Sequence, residues 1–510
     1  MIYDVLVVGA GPAGLAAALT AAKRGLHVLV VDEQRQAGGQ IFRQLPVEWG
    51  GTGHDAPKDY PWAKDLLAES GRSKQIDWRW ETTAWGLLME DEASHTVSVG
   101  LSGPQGGEYV QARRVLIATG AYDLPVPFPG WTLPGVMMAG AAQTLVKSQR
   151  LLPAKRLVLA GAHPLLLVAA GQLLDAGADL AALVLARGLP SPMEGARSLA
   201  AVPGHLGLLG GTAKILLRLK AARVPILTRA LVTQAEGEQH LTSVQIASID
   251  SDWNLRGPTR SVECDGLVLG YGFVPSTELA RQAGCAVRWD SPAGGWVVAH
   301  DEKMRSSQEL IYVAGEPGGV AGAEQAYAEG RLAGLAIWAD LKKVGTPPDL
   351  LRAQRDLRTA RRFSKVVQTL FEPRRESLAR LSTESTVVCR CELVTAGQIG
   401  SVLDDNPFLS DVNAVKLECR AGMGLCQGRH CALTVAALTA EQRGIDLADV
   451  GTFTARAPVK PIPVSALSPA HGGSDLELPG DLDVSVDGTQ DSVTSQVRYD
   501  NGEPVNCTHG

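Results

Sequence analysis

Cysteine is scarce in this chain of 510 residues, which contains only eight. That density is too low for a disulfide-stabilised scaffold. Five of the eight nevertheless fall between residues 389 and 431. Such a cluster is typical of a metal site in a reducing compartment, so we expect a cytoplasmic protein, with peripheral attachment to the inner membrane as a compatible location.

The sequence also lacks signals for export, membrane insertion and nucleic-acid binding. No basic segment follows the start, where Asp4 is the first charged residue. The apolar run 157–174 is long enough to span a bilayer, but His163 and Pro164 interrupt it, which favours a buried β-turn-α unit. No block of Lys and Arg is interleaved with aromatic residues, so we expect neither a transmembrane segment nor a nucleic-acid partner.

A glycine fingerprint follows the first apolar run of the chain. The run at residues 2–8 predicts a buried strand, and the Ala/Leu-rich segment up to about Arg24 predicts a helix. In the turn between them, the first glycine permits a tight bend, the second lets a pyrophosphate approach the backbone, and the third allows close packing of helix and strand. The cofactor-binding residues predicted here are Gly9, Gly11, Pro12, Ala13 and Gly14.

The second predicted strand, 28–31, ends in two acids. Asp32 lies 23 residues after Gly9, where a carboxylate can accept hydrogen bonds from ribose hydroxyls, and Glu33 is the alternative. Together with the glycine turn, this spacing predicts a dinucleotide site. The alternative interpretation is a glycine-rich turn that serves packing alone.

Three further segments favour flavin over a nicotinamide nucleotide. Gly38-Gly39-Gln40 follows the acids, a predicted strand ends in Ala118-Thr119-Gly120, and residues 311–316 form a strand before a glycine-rich helix start. At this point the chain resembles the two-dinucleotide-domain flavoprotein reductases, whose A-T-G and A-G-D segments close over FAD. The resemblance implies that Gly39, Gln40, Ala118, Thr119, Gly120, Gly315 and Glu316 bind FAD, with Glu316 in place of the Asp of that pattern.

A second nucleotide turn, Gly161-Ala162-His163-Pro164, is degraded. Only its first glycine remains, His163 stands where backbone would approach a pyrophosphate, and the next strand ends in Arg187 instead of an acid. We therefore expect a nucleotide-binding fold that no longer binds NAD(P)H. No redox cysteine pair precedes Cys264, which with Cys285 we interpret as a small core residue, so thiol–disulfide exchange is not expected.

The late cysteines form a C-x-C and a C-x4-C pair. Cys389, Cys391, Cys426 and Cys431 supply the four thiolates that a 2Fe–2S cluster requires. Structural zinc is the alternative. We interpret Cys419 as a bystander.

The order of these motifs resembles one family. Residues 39–43, 120–136, 389–392 and 422–429 are similar to the alpha (A) subunits of opine oxidases and of hydroxyproline and dye-linked proline dehydrogenases, and to the B subunit of hydrogen cyanide synthase. The cysteine segment resembles the bacterioferritin-associated-ferredoxin-like 2Fe–2S domain. The partners that the resemblance implies are a D-amino-acid-oxidase-like flavoprotein beta subunit, a small ferredoxin-like subunit and a downstream electron acceptor. It implies no catalytic residue in this chain.

The sequence thus predicts an α/β two-dinucleotide-binding-domain flavoprotein with a small helical 2Fe–2S domain. The predicted parts are an FAD domain (1–120 and 265–345), an inserted NAD(P)-binding-like domain (121–264), a helical basic linker (346–384), the 2Fe–2S domain (385–455) and an acidic disordered tail (470–510).

The expected function is an electron-transfer subunit of a hetero-oligomeric amino-acid, opine or imino-acid dehydrogenase. The alternatives are a self-sufficient NAD(P)H-dependent flavin reductase and a non-catalytic nucleotide-binding scaffold.

Overall fold

The computed structural model of the chain describes residues 2–51, 60–89, 95–188 and 206–467. The predicted acidic tail lies outside these ranges. The strands are β1 Ile2–Val8, β2 Val28–Val31, β3 Ile76–Arg79, β4 Thr83–Met89, β5 Val97–Gly103, β6 Gly106–Ile117, β7 Ala121–Asp123, β8 Val136–Met138, β9 Arg156–Gly161, β10 Asp179–Leu185, β11 Ile226–Thr228, β12 Ala230–Glu236, β13 Ser243–Ile249, β14 Leu255–Glu263, β15 Gly266–Gly270, β16 Phe273–Pro275, β17 Val287–Asp290, β18 Gly295–Val298, β19 Ile311–Val313, β20 Val387–Cys389 and β21 Val394–Thr395.

Helices alternate with many of these strands, which confirms the predicted α/β fold class. The α-helices are α1 Pro12–Ala22, α2 Pro61–Ser70, α3 Ala139–Gln149, α4 Leu165–Asp175, α5 Leu206–Ala221, α6 Glu278–Gln282, α7 Ala323–Leu341, α8 Pro348–Leu370, α9 Arg375–Ala379, α10 Ala396–Asp405, α11 Val412–Cys419, α12 Ala432–Arg443 and α13 Leu447–Val450. Short 3₁₀ turns occur at Val47–Trp49, Glu316–Gly318 and Val464–Leu467.

The first sheet has seven strands in the order β3-β2-β1-β6-β5-β4, and β19 also pairs with β6. β1 runs parallel to both β2 and β6, so the turn after β1 lies at the carboxyl edge of the sheet, where ligands bind in open α/β folds. Helix α1 packs on α7 so closely that a Cβ on Gly330 would lie 2.0 Å from the carbonyl oxygen of Ala13. This contact brings α7 and the loop before it to the first glycine turn.

A second sheet follows within the same chain, in the parallel order β11-β10-β9-β15-β8. The second glycine turn follows β9 in this sheet, and β12, β13 and β14 form a separate antiparallel sheet. β15 pairs with β9, although the predicted boundary at residue 265 assigns it to the first domain. The run 157–174 forms β9, a turn and α4, and in the described part of the chain no helix combines the length and apolar character needed to cross a membrane.

The cysteine segment forms a compact unit of β20, β21 and helices α10 to α13. Its own buried core includes Val388, Ile399, Leu403 and Val435. Thr395 begins α10 with a capping box, in which its hydroxyl accepts from the backbone of Gln398.

Candidate functional site: a glycine cradle and a thiol cluster

The first glycine turn has the geometry that a dinucleotide requires. Gly9 has φ +106°, and a Cβ there would lie 2.4 Å from the carbonyl oxygen of Ala118. A Cβ on Gly14 would lie 1.8 Å from the carbonyl oxygen of Gly9. Gly11 is different, because the nearest atom to a Cβ there is Cα of Gly39 at 3.9 Å. Gly9 and Gly14 are therefore required by the fold, whereas Gly11 leaves backbone accessible at the start of α1, where N–H groups and the helix dipole favour phosphate.

The two acids after β2 have different environments. The Asp32 carboxylate accepts hydrogen bonds from the backbone N–H of Ala10 (2.6 Å) and of Gln34 (2.7 Å). Burial raises the pKa of Asp32, and these two N–H donors oppose the rise. Glu33 instead forms an ion pair with Lys460. The structure thus places Asp32 against the glycine turn.

The predicted Gln40 and A-T-G positions meet at one edge of the turn. Gln40 donates through Nε2 to the carbonyl oxygen of Ala121 (3.3 Å). The N–H of Ala118, which follows β6, donates to the carbonyl oxygen of Val8 (2.9 Å). The Thr119 hydroxyl donates to the carbonyl oxygen of Ser276 (2.8 Å). Gly120 has φ +74° and faces open space.

The predicted Gly315 and Glu316 lie beside the first turn of α1. A Cβ on Gly315 would approach Cβ of Ala13 to 3.0 Å. The Glu316 carboxylate accepts from the N–H of Gly322 (3.3 Å), and burial raises the pKa of Glu316 to about 7. Apart from Glu33, the residues predicted to bind the cofactor thus lie around one cradle, and its accessible backbone at Gly11 fits a pyrophosphate.

Glu329 was missed by sequence reasoning. Its buried carboxylate accepts from the N–H of Gly315 (2.9 Å) and from Nε2 of Gln325 (2.9 Å), and it pairs with Arg361 at 3.3 Å. A lone acid within the apolar face of α7 is the signal that would have indicated this role. Arg361 belongs to the basic helix α8, so one of its cations supports the cradle.

The four predicted metal ligands come together in two pairs, each of which joins the two motifs. Cys389 is the neighbour of Cys431, Cys391 is the neighbour of Cys426, and all three other cysteines act on the pKa of Cys431. The backbone N–H of Gly422 also points at Sγ of Cys389 (3.4 Å). These contacts lower the pKa of Cys389 to about 5, whereas the pKa values of Cys426 and Cys431 are raised.

Glycines allow the cysteine loop to close over its core. Gly422 and Gly428 both have φ +84°, and a Cβ on either would lie 2.3 Å from the ring of Phe453. A Cβ on Gly424 would lie 2.2 Å from Cβ of Cys391. Cys419 is turned away, because its thiol donates to the carbonyl oxygen of Val415 (3.1 Å).

The four thiols lie close enough together to affect one another electrostatically. Across the described ranges, no group of three or more His, Cys, Asp or Glu side chains has the spacing of a preformed metal centre. Two thiols for each of two iron ions is the donor set of a 2Fe–2S cluster, so the pairs fit that group in number and chemistry.

The degraded second turn packs differently from the first. A Cβ on Gly161 would lie 2.1 Å from the carbonyl oxygen of Gly270, so this glycine serves strand packing. Burial lowers the pKa of His163 to about 4, and its ring packs edge-on against Phe273 with centroids 4.9 Å apart. Nδ1 of His163 accepts from the N–H of Leu165 (3.2 Å). Cys264 and Cys285 are buried in the core, as predicted.

Comparison with known protein families gives two matches. A family model described as pyridine nucleotide-disulphide oxidoreductase matches residues 3–330. A model of the sarcosine oxidase A3 domain matches residues 384–471. The boundary between the two matches separates the cradle from the cysteine segment.

Curated relatives match along most of the chain. The A subunit of opine oxidase from Agrobacterium tumefaciens (strain Ach5) is 38% identical over 478 residues, which cover 91% of this chain and 91% of that protein. The HcnB subunit of hydrogen cyanide synthase from Pseudomonas aeruginosa is 32% identical over 474 residues, which cover 90% of this chain and 97% of that protein. Among solved structures, L-proline dehydrogenase from P. horikoshii aligns with a TM-score of 0.63 over 92% of this chain and 80% of that chain, at 19% identity. At that identity the alignment supports the fold alone.

Proposed function

The chain belongs to the oxidoreductase family that includes the A subunit of opine oxidase and the HcnB subunit of hydrogen cyanide synthase, and on this premise we propose that it is an electron-transfer subunit of a hetero-oligomeric dehydrogenase. Its donor substrate is an amino-acid-like compound with a CH–NH or CH–NH₂ group. A D-amino-acid-oxidase-like partner subunit oxidises that substrate, and a downstream acceptor receives the electrons. The observation that carries the proposal is the presence, on one chain, of a dinucleotide cradle and two thiol pairs.

The cradle would hold FAD through its backbone. Gly11 leaves room for the pyrophosphate, the first turn of α1 presents its N–H groups to it, and Asp32 stands beside the turn. Glu316, with its pKa raised to about 7, would present a proton-bearing carboxyl to the cofactor. Bound FAD supplies the ability to accept two electrons and release them singly.

The cysteine loop would hold a 2Fe–2S cluster through Cys389, Cys391, Cys426 and Cys431. The low pKa of Cys389 makes one thiolate available at neutral pH. The N–H of Gly422 that points at its sulfur would stabilise added negative charge.

The test separates the two cofactors with single variants. The chain is expressed alone and with its partner subunit, purified without oxygen, and assayed for flavin, iron and acid-labile sulfide. We expect Gly11→Val to lose flavin and keep iron, and Cys391→Ser to lose iron and keep flavin. Cys419→Ser is the matched control and should retain both.

Other results would contradict the proposal. Zinc in place of iron would remove the electron-transfer role of the cysteine loop. Complete bleaching of the flavin by NAD(P)H alone would favour the NAD(P)H-dependent reductase. A colourless protein that binds nucleotide would favour the scaffold.

A further inference from the structure

A buried carboxylate lies between the cradle and the cysteine loop. Glu278 begins α6, directly after β16, which pairs with β7. The N–H of Ser276 donates to the carbonyl oxygen of Gly120 (2.9 Å), and Thr119 donates back to Ser276. The segment that carries Glu278 is therefore hydrogen-bonded directly to the A-T-G edge of the cradle.

On its other side, Glu278 faces the cysteine loop. Nε of Arg429 lies 3.9 Å from Oε1 of Glu278, and only about a tenth of either side chain is exposed, at 10% and 11%. Arg429 donates from Nη1 to the carbonyl oxygen of Cys426 (3.1 Å) and from Nη2 to that of Val459 (2.9 Å). Arg429 thus connects a buried acid to the backbone of a predicted metal ligand.

Three further groups hold this acid in place. The hydroxyl of Tyr122 donates to Oε1 of Glu278, and the hydroxyl of Ser276 donates to Oε2 (3.1 Å). Arg281 lies 3.9 Å from the same carboxylate and donates to the carbonyl oxygen of Phe453, whose ring covers the loop glycines. Glu278 therefore contacts two arginines, Arg429 and Arg281, which donate to the backbone of Cys426 and of Phe453.

Little solvent reaches these charges. The cavity beside them has a volume of about 40 Å³ and is lined by Tyr122, Glu278, Arg281 and Arg429, among others. Nε of Arg429 has no hydrogen-bond partner among the described residues. Because screening by water is weak here, each charge acts strongly on neighbouring groups.

We infer that Glu278 and Arg429 are positioning residues that join the cradle to the cysteine loop and set the reduction potential of the group held by the four cysteines. This inference rests on the proposed function. Reduction by one electron would add one negative charge to the group held by the cysteines. The guanidinium of Arg429 stabilises that charge and raises the potential, and the carboxylate of Glu278 opposes it.

The test measures potentials in the purified holoprotein. We expect Arg429→Gln to lower the midpoint potential of the iron group and Glu278→Gln to raise it, with the double variant close to wild type. Opposite shifts would not follow from loosened packing, which has no preferred sign. Arg380→Gln is the matched control, because it removes a positive charge from an exposed pair with Glu441 and should leave the potential unchanged.

A conservative variant keeps the test decisive if Arg429→Gln fails to fold. If Arg429→Gln does not retain iron, Arg429→Lys keeps the charge and should retain a potential near wild type, while Glu278→Gln still tests the sign. Potentials that do not move, or that move in the same direction in both variants, would overturn this inference alone. Wild-type protein without flavin or iron would overturn the proposed function as well.

Discussion

Replacement of Gly11 by alanine should separate cofactor binding from folding. Gly11 has φ −78° and ψ −175°, a conformation that alanine adopts without strain. A methyl group there would meet only Cα of Gly39 at 3.9 Å. Alanine restricts the unfolded chain more than glycine does, which stabilises the folded state by about 0.4–1 kcal/mol. Alanine is also a poorer N-cap than glycine, which costs about 0.5–1 kcal/mol. The two effects nearly cancel, so the free energy of unfolding of the apoprotein should hardly change.

The effect on FAD should be much larger. The methyl group occupies the space through which a pyrophosphate approaches the N–H groups of α1. Loss of one hydrogen bond to a charged group costs about 1.5–3 kcal/mol, which corresponds to roughly 10- to 150-fold weaker binding. Flavin titration of the apoprotein measures the affinity, and urea unfolding without flavin measures the stability.

Gly14→Ala is the comparison variant. Its methyl group would lie 1.8 Å from the carbonyl oxygen of Gly9, a backbone atom that cannot move aside. We expect it to destabilise the apoprotein by about 1–3 kcal/mol or more. If Gly11→Ala binds FAD as tightly as wild type, or if it destabilises the apoprotein as much as Gly14→Ala does, the assignment of roles within the turn is wrong.

Three more predictions follow from single contacts. The pKa of Glu316 in the folded chain is about 7, above its ordinary value of 4.5. The free energy of unfolding of the apoprotein should therefore fall as the pH rises from 4.5 to about 7. Glu316→Gln should remove that part of the pH dependence in a series of urea unfolding curves. Gly428→Ala should lower the free energy of unfolding by about 1–3 kcal/mol through overpacking against Phe453, beyond the cost of backbone strain, and should reduce iron content. Gly444→Ala is the control, because Gly444 has φ +64° and open space around it, so only backbone strain of about 1–2 kcal/mol is expected. Equal losses of stability in thermal unfolding would refute the role of the Phe453 ring. Glu33→Gln should change stability by less than about 1 kcal/mol and leave flavin content unaltered, and loss of flavin would identify Glu33 as a ribose ligand.

Local signals predicted the first nucleotide turn well. β1 occupies the predicted residues 2–8, and α1 ends at Ala22, two residues before the predicted end at Arg24. A buried strand, a glycine turn and an Ala/Leu-rich helix are all encoded within about one βα unit, so neighbouring residues carry the information. The same holds for β2 at Val28–Val31.

Contacts between distant segments could not be predicted in this way. The sequence predicted which cysteines form a metal site, but the way they meet across the two motifs depends on how the loop folds back on Phe453. Glu278 and Arg429 lie in segments whose local patterns are ordinary, and each acquires its role from a partner about 150 residues away. Single buried charges in apolar surroundings were the available signal, and one sequence shows burial only indirectly.

The arrival of β19 on the first sheet has a consequence for biosynthesis. β19 pairs with β6, and Ile311 leaves the ribosome long after Ile117. At roughly 5–20 residues per second, this delay is on the order of 10–40 s. The intervening parallel sheet can therefore assemble while the first one still lacks a strand. Gly315, which we propose to contact FAD, is synthesised only in the later part of translation.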